Sequence, residues 1–236
     1  MSLELYIGPM FAGKSTEILG IIRRNKCIGR KTVCITHSID TRYSTTGQIV
    51  SHNKDAAPAL ATDKLANLFH HPLVREADCI IVEEAQFFAD LKAFVLPLVD
   101  TLQKHVICVG LDGDSNRAPF GQVLDLVPHA DEIHKMKALC TRCADGTAAL
   151  FTYRAPGAPT TQINVGTAAT YEALCREHFL ECEVDKLLAD PVALREFYRV
   201  YIKPVAANSE EILDHLIQIV GVERGHAAWE KIRPGN

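Results

Sequence analysis

The sequence predicts an α/β fold: a mainly parallel sheet with helices on both faces, followed by a small β-rich module and a helical C-terminal segment. Three observations carry this expectation. Short apolar runs alternate with helical patterns through residue 135. A glycine-rich segment, Gly8-Pro9-Met10-Phe11-Ala12-Gly13-Lys14-Ser15-Thr16, joins the first apolar run to the first helical pattern. Four late cysteines and a histidine fall close together beyond that region.

The first element is a strand over residues 3–7, and residues 15–24 read as a helix. The segment between them matches G-x-x-x-x-G-K-[ST], the P-loop. Its glycines let backbone N–H groups turn inward around phosphates, and the helix N-terminus adds a favourable field. In that motif Lys14 reaches the β- and γ-phosphates and the Ser15 hydroxyl holds Mg²⁺. Gly8 through Thr16 are therefore the candidate nucleotide-binding residues. The chain is expected to bind a nucleoside triphosphate and to move or cleave its γ-phosphoryl.

Residues 31–37, 78–82 and 105–111 are further strands, and 132–135 is a short fifth. The unbroken apolar run at 78–82 marks a strand covered on both faces. Helical patterns fall at 64–69 and 89–102, where Pro97 should kink or split the second. Residues 41–63 are polar and turn-rich, which suits a short hairpin or a mobile loop. From Ala138 the texture changes. Strand-like stretches at 148–153 and 161–165 flank a Pro/Gly-rich tip, in a module too small to hold together on apolar burial alone. Helices are expected at 184–188, 191–201 and 209–220, with Ser209-Glu210-Glu211-Ile212 as a capped start. The expected division is a nucleotide-binding domain over 1–137, a metal-binding module over 138–182 and a helical extension over 183–236.

A formal net charge of −4 over 236 residues argues against broad nucleic-acid binding, which needs a basic face. The N-terminus lacks the basic and apolar regions of a signal peptide, and no apolar stretch reaches membrane-spanning length. The expectation is a cytoplasmic protein. Cys34, Cys79 and Cys108 lie in apolar strands and read as small core residues.

The apolar strand ending at Val82 runs into Glu83 and Glu84. Ligands of open α/β sheets bind at the C-terminal ends of strands. If the strand continues, the two carboxylates face opposite ways and cannot share one task. That gives Glu83 to a Mg²⁺ shell and Glu84 to the acceptor as general base. Leu111-Asp112-Gly113-Asp114 closes the next strand, where Asp112 could serve metal or phosphate geometry.

Cys140-Thr-Arg-Cys143 is a C-x₂-C knuckle, and Cys175-Arg-Glu-His178 repeats the spacing with histidine second. Zn²⁺ takes four tetrahedral sulfur and nitrogen ligands, and two such knuckles deliver them. With every position filled by protein the site reads as structural. Cys182 is the rival fourth ligand, and cysteines without metal are the remaining reading.

With these pieces in order the chain resembles the zinc-containing thymidine kinase family of animal cytosol, bacteria and poxviruses. The resemblance rests on Gly8 through Ser15, Asp40-Thr-Arg-Tyr-Ser44, Ser51-His52, Glu83-Glu-Ala-Gln-Phe-Phe88, Leu111 through Asp114 with Arg117 and Pro119-Phe-Gly121, Cys140-x-x-Cys143, and Tyr171-x-x-x-Cys175-Arg-x-His178. It implies ATP-dependent phosphorylation of the thymidine 5′-hydroxyl, in a homotetramer with active-site Mg²⁺ and structural Zn²⁺, and without nucleic-acid or membrane partners. By motif position it implies Glu84 as general base, with Lys14 and Arg42 supporting phosphoryl transfer and Asp40 in the same functional loop. Met10, Phe87, Leu111 and Phe120 would line the nucleoside pocket. A lasso between the zinc-holding strands would close over the base through Thr152, Ile163, Asn164, Val165, Gly166 and Tyr171.

Four positions depart from the family pattern. Glu83 stands for the usual Asp, Ala85 for Gly, Ser115 for an aromatic residue, and Thr167 for the second glycine of a pair. The last two bear on the nucleoside pocket and leave deoxyuridine or a broader pyrimidine range open. Two other readings stay in view: a P-loop ATPase or GTPase switch, and a zinc-stabilised binding module without kinase activity. No Asn-Lys-x-Asp guanine motif follows a strand, and the Lys14, Ser15, Arg42 and Glu84 set is intact.

Overall fold

A computed structural model describes residues 1–39, 48–50, 56–155, 162, 170–202, 204–206 and 208–232. The chain divides into two units, Met1–Arg176 and Glu177–Asn236.

The first unit is built on a six-stranded sheet. Its strands are β1 (Ser2–Ile7), β2 (Thr32–His37), β5 (Leu60–Thr62), β6 (Cys79–Val82), β7 (His105–Gly110) and β8 (Glu132–Lys135), in the order β5-β2-β6-β7-β1-β8. Every neighbouring pair is parallel. All the C-terminal strand ends therefore lie along one edge, and the candidate residues Gly8, Glu83 and Leu111 follow β1, β6 and β7 directly. Strand β5 is a member the sequence patterns do not reveal.

Alternation along the strands separates two cores. Leu3, Leu5 and Ile7 of β1 pack with Ile80, Val82, Leu91, Phe94 and Val95. Tyr6 turns to the other face, with Ile18, Leu19 and Ile21 of helix α1 (Lys14–Cys27) and with Cys79 and Ile81. All four residues of β6 are fully buried, which explains its unbroken apolar run. Burial pushes the thiols of Cys34, Cys79 and Cys108 up to about 12, 11 and 12, as inert core groups.

The connections follow local chemistry. Strands β3 (Gln48–Val50) and β4 (Ala56–Pro58) pair antiparallel, the hairpin alternative expected for 41–63. Helix α2 (Pro72–Glu76) starts with proline at its first turn, where no donor is lost. Helix α3 (Leu91–Leu96) stops at Pro97, and a π-type turn carries the chain to Thr101, as the split expected there.

Beyond the sheet, β9 (Ala138–Leu139) pairs with β10 (Ala148–Ala149), and β11 (Phe151–Arg154) pairs with β12 (Tyr171–Leu174), both antiparallel. The strand expected at 161–165 lies outside the described residues apart from Gln162.

Helix α4 (Arg176–Ala189) leads into the second unit, which holds α5 (Pro191–Phe197), α6 (Ser209–Val220) and α7 (Val222–Ile232). The cap of α6 is Asn208, not Ser209: its side chain accepts the N–H groups of Glu210 and Glu211 at 3.0 and 2.9 Å. Leu194, Ile202, Ile212, Leu216 and Ala228 form this unit's own core. Among the described residues no helix is long and apolar enough to cross a membrane.

Candidate active site

The loop after β1 is shaped by three positive φ angles, at Gly8 (+153°), Phe11 (+64°) and Gly13 (+77°). A Cβ on Gly8 would stand 2.4 Å from the Met136 carbonyl oxygen, so glycine is required there. Gly13 takes the left-handed conformation and caps α1. A helix N-terminus opening directly from such a loop suits an anion. The Lys14 ammonium donates to the Gly8 and Pro9 carbonyls at 3.2 and 2.7 Å, at the mouth of the loop. Ala12 is buried, while Phe11, Gly13 and Thr16 are exposed. The Ser15 hydroxyl donates to the Glu83 carboxylate.

Glu83 is 6% exposed, and its N–H donates to the Ile35 carbonyl at 2.8 Å. The strand does not continue past it. Glu84 adopts φ +51°, a left-handed conformation uncommon outside glycine, and caps a 3₁₀ turn over Ala85–Phe87. The two carboxylates are thus separated by a backbone turn, not by strand alternation as the sequence suggests. Gln86 follows, 3% exposed. Its side-chain amide donates to Glu84 and accepts the Leu111 N–H at 3.0 Å.

Several expected pocket residues are brought together. Phe87 and Phe120 meet edge to face with ring centres 5.6 Å apart. The Met10 N–H donates to the Thr152 hydroxyl at 3.0 Å, linking the loop after β1 to β11. Tyr171, on the partner strand, is buried beneath the Arg154 guanidinium. Ser115 is 4% exposed, an interior position. Asp112 pairs with Lys135. A cleft of about 180 Å³ nearby is lined by Pro9 and Thr152 but not by Glu84, Phe87 or Tyr171. Asp40, Arg42, Ile163, Asn164, Val165 and Gly166 lie outside the described residues.

Two polar contacts had no counterpart among the sequence candidates. One is Gln86. The other is Asp114, whose carboxylate accepts the Asn116 and Ala118 N–H groups and the Gln162 amide, at 2.8, 2.9 and 2.9 Å. The sequence signal for Gln86 was its place inside the Glu83-Glu-Ala-Gln-Phe-Phe88 motif, and Gly110 and Gly121 leave room for it in the fold.

The ligand atoms of Cys140, Cys143, Cys175 and His178 all lie within 4.8 Å of one another. The Cys143 and Cys175 sulfurs are 3.9 Å apart. A tetrahedral zinc with bonds of about 2.3 Å separates its sulfurs by about 3.8 Å, so this donor set fits the ion. Burial works against an ionised Cys140, but backbone N–H groups of Cys143, Cys175 and Arg142 directed at its sulfur bring the thiol down to about 6. Cys182 is buried yet is not among the clustered ligands.

The family model described as thymidine kinase matches residues 1–179. Thymidine kinase a of Arabidopsis thaliana is 37% identical over 182 residues, covering 76% of this chain and 75% of that protein. The thymidine kinase of Variola virus is 34% identical over 179 residues, covering 76% of this chain and 97% of its own. Among solved structures, the X-ray structure of the Legionella pneumophila ATPase DotB aligns with a TM-score of 0.37 at 15% identity, over 95% of this chain and 59% of that one, a likeness too distant to carry an argument.

Proposed function

The chain belongs to the thymidine kinase family, and on that premise we propose that it transfers the γ-phosphoryl of ATP to the 5′-hydroxyl of thymidine, giving thymidine monophosphate and ADP. The observation that carries the site reading is the bond from Ser15 to Glu83, one residue before Glu84. It ties the anion-binding loop to the strand end that bears the base.

Glu84 orients the 5′-hydroxyl and takes its proton as the oxygen attacks the γ-phosphorus in line. Lys14 and Arg42 supply positive charge to the phosphoryl oxygens. Ser15 and Glu83 would hold Mg²⁺, which neutralises charge on the β- and γ-phosphates when bound. Phe87, Phe120, Met10 and Leu111 form the nucleoside wall, and Asp40 belongs to the same functional loop as Arg42. Thr152, Ile163, Asn164, Val165, Gly166 and Tyr171 close over the base, which also excludes water as a competing acceptor.

Cys140, Cys143, Cys175 and His178 would hold a structural Zn²⁺ that fixes the ends of the segment carrying those contacts. On this reading residues 1–137 bind ATP in a P-loop NTPase arrangement, 138–182 form the zinc-held lasso and 183–236 are an added helical segment. The assembly is a homotetramer and the compartment the cytoplasm.

ATP and Mg²⁺ incubated with a panel of deoxynucleosides, with monophosphate measured for each, test the reading. Thymidine should be among the best acceptors. ATP hydrolysis at the same rate with and without every nucleoside would overturn the reading in favour of an ATPase.

A further inference from the structure

We propose that Gln86 is the positioning residue of the site, holding the Glu84 carboxylate in its working orientation by a two-sided amide contact. The inference rests on the reading of Glu84 as the base.

Glu84 needs such a support. Its backbone sits at φ +51°, at a turn where the strand has already ended, so sheet pairing does not hold it. Gln86 reaches it from inside the protein. The amide nitrogen donates to the Glu84 carboxylate, and the amide oxygen accepts the Leu111 N–H at 3.0 Å. These two contacts fix which way round the amide lies. Turned over, it would set a carbonyl oxygen against a carboxylate and an N–H group against an N–H group.

The surroundings are cut to this side chain. A Cβ on Gly110 would stand 2.6 Å from the Gln86 amide oxygen. A Cβ on Gly121 would stand 2.2 Å from the Gln86 backbone carbonyl oxygen. Two glycines from separate connections thus leave room for one glutamine. Through it the end of β7, at Leu111, is linked mechanically to the carboxylate after β6. Leu111 is itself an expected nucleoside contact, so the acceptor's wall and the base share one support.

Four variants test this. Gln86→Met keeps the volume and removes both contacts. Gln86→Leu also removes both contacts, with a differently shaped apolar side chain and no new charge beside Glu84, so it serves where Gln86→Met does not fold. Glu84→Asp withdraws the carboxylate from Gln86 while leaving a base, and Glu84→Gln removes the base. Both Gln86 variants should lower kcat by roughly 10–100-fold, as small displacements of reacting groups do, with KM for ATP within about threefold of the parent. In the Glu84→Asp background neither should lower kcat by more than about twofold further, because the contact is already gone.

A Glu84→Gln enzyme near zero turnover, beside Gln86 variants that keep kcat or lose it multiplicatively with Glu84→Asp, would overturn the positioning role alone. Full turnover in Glu84→Gln would overturn the base assignment and this inference with it.

Discussion

The Ser15 hydroxyl donates to the Glu83 carboxylate, although 68 positions separate them in sequence. One stands at the start of α1 and the other just past β6, and the parallel sheet brings both to the same edge. On the proposed function, a hydroxyl and a buried carboxylate converging beside an anion-binding loop would supply two of about six oxygen ligands to Mg²⁺. Glu83→Ala should therefore raise the Mg²⁺ concentration for half-maximal turnover by about tenfold or more, equivalent to roughly 1.4 kcal/mol of binding. A Mg²⁺ titration of turnover at fixed ATP checks this, and an unchanged midpoint would remove Glu83 from the metal shell.

Purified without chelator, the protein should carry one zinc per chain. Cys143→Ser should release it and lower the melting temperature by more than about 5 °C, since such sites contribute directly to folding. His178→Ala should do the same, whereas Cys182→Ala should keep the metal. Metal analysis of the three variants separates the two candidate ligands. Zinc lost from Cys182→Ala and retained in His178→Ala would reverse the assignment.

Gly8→Ala should destabilise the fold by about 1–3 kcal/mol, because both its φ and its neighbour are unsuited to a side chain. The Met136 N–H donates to Ile7 at 2.7 Å, so the carbonyl that a Cβ would strike is latched to β1 and cannot yield cheaply. Thermal melting measures this, and a Gly8→Ala protein as stable as the parent would show that the loop relaxes freely.

His105 and His37 are held below the ordinary histidine value of 6.5, chiefly because burial disfavours the charged ring. For His105 the nearby Glu4 works against that, with its carboxylate 3.5 Å from the ring nitrogen. The unfolded chain takes up these protons first as pH falls. Stability is thus full above about 6.5 and is lost as the pH drops through the depressed folded values. The melting temperature should decline between pH 7 and pH 5, and His105→Gln should flatten that decline. A slope unchanged by the substitution would assign the effect to other groups.

Much of the first unit was legible because its strands are covered on both faces and announce themselves as apolar runs. Strand β5 escaped because Leu60-Ala61-Thr62 is too short to show a period. Helix α7 escaped because Gly225 interrupts its pattern, although that glycine is where α7 meets Ile217 of α6. That Glu83 and Glu84 stand at the C-terminal end of a buried strand was readable from the apolar run before them. Their relative orientation was not, since strand alternation assumes that the strand continues through them, whereas it ends at Val82. Spacing alone left His178 and Cys182 as rivals, because both follow Cys175 within two helical turns, and only the three-dimensional cluster separates them. Gln86 sat inside a quoted motif, but its contacts were not legible, because Leu111, whose N–H its amide oxygen accepts, follows a different strand of the sheet.

The most direct test of the central claim is transfer of a labelled γ-phosphoryl from ATP to thymidine by the parent enzyme and by Glu84→Gln, with ATP affinity measured in parallel. The parent should yield labelled thymidine 5′-monophosphate in step with ADP. Glu84→Gln should lose roughly 10²–10⁴-fold in rate, the usual worth of a positioned base, while binding ATP within about threefold of the parent. Transfer at the parental rate in Glu84→Gln, or no labelled nucleotide from the parent, would contradict the account.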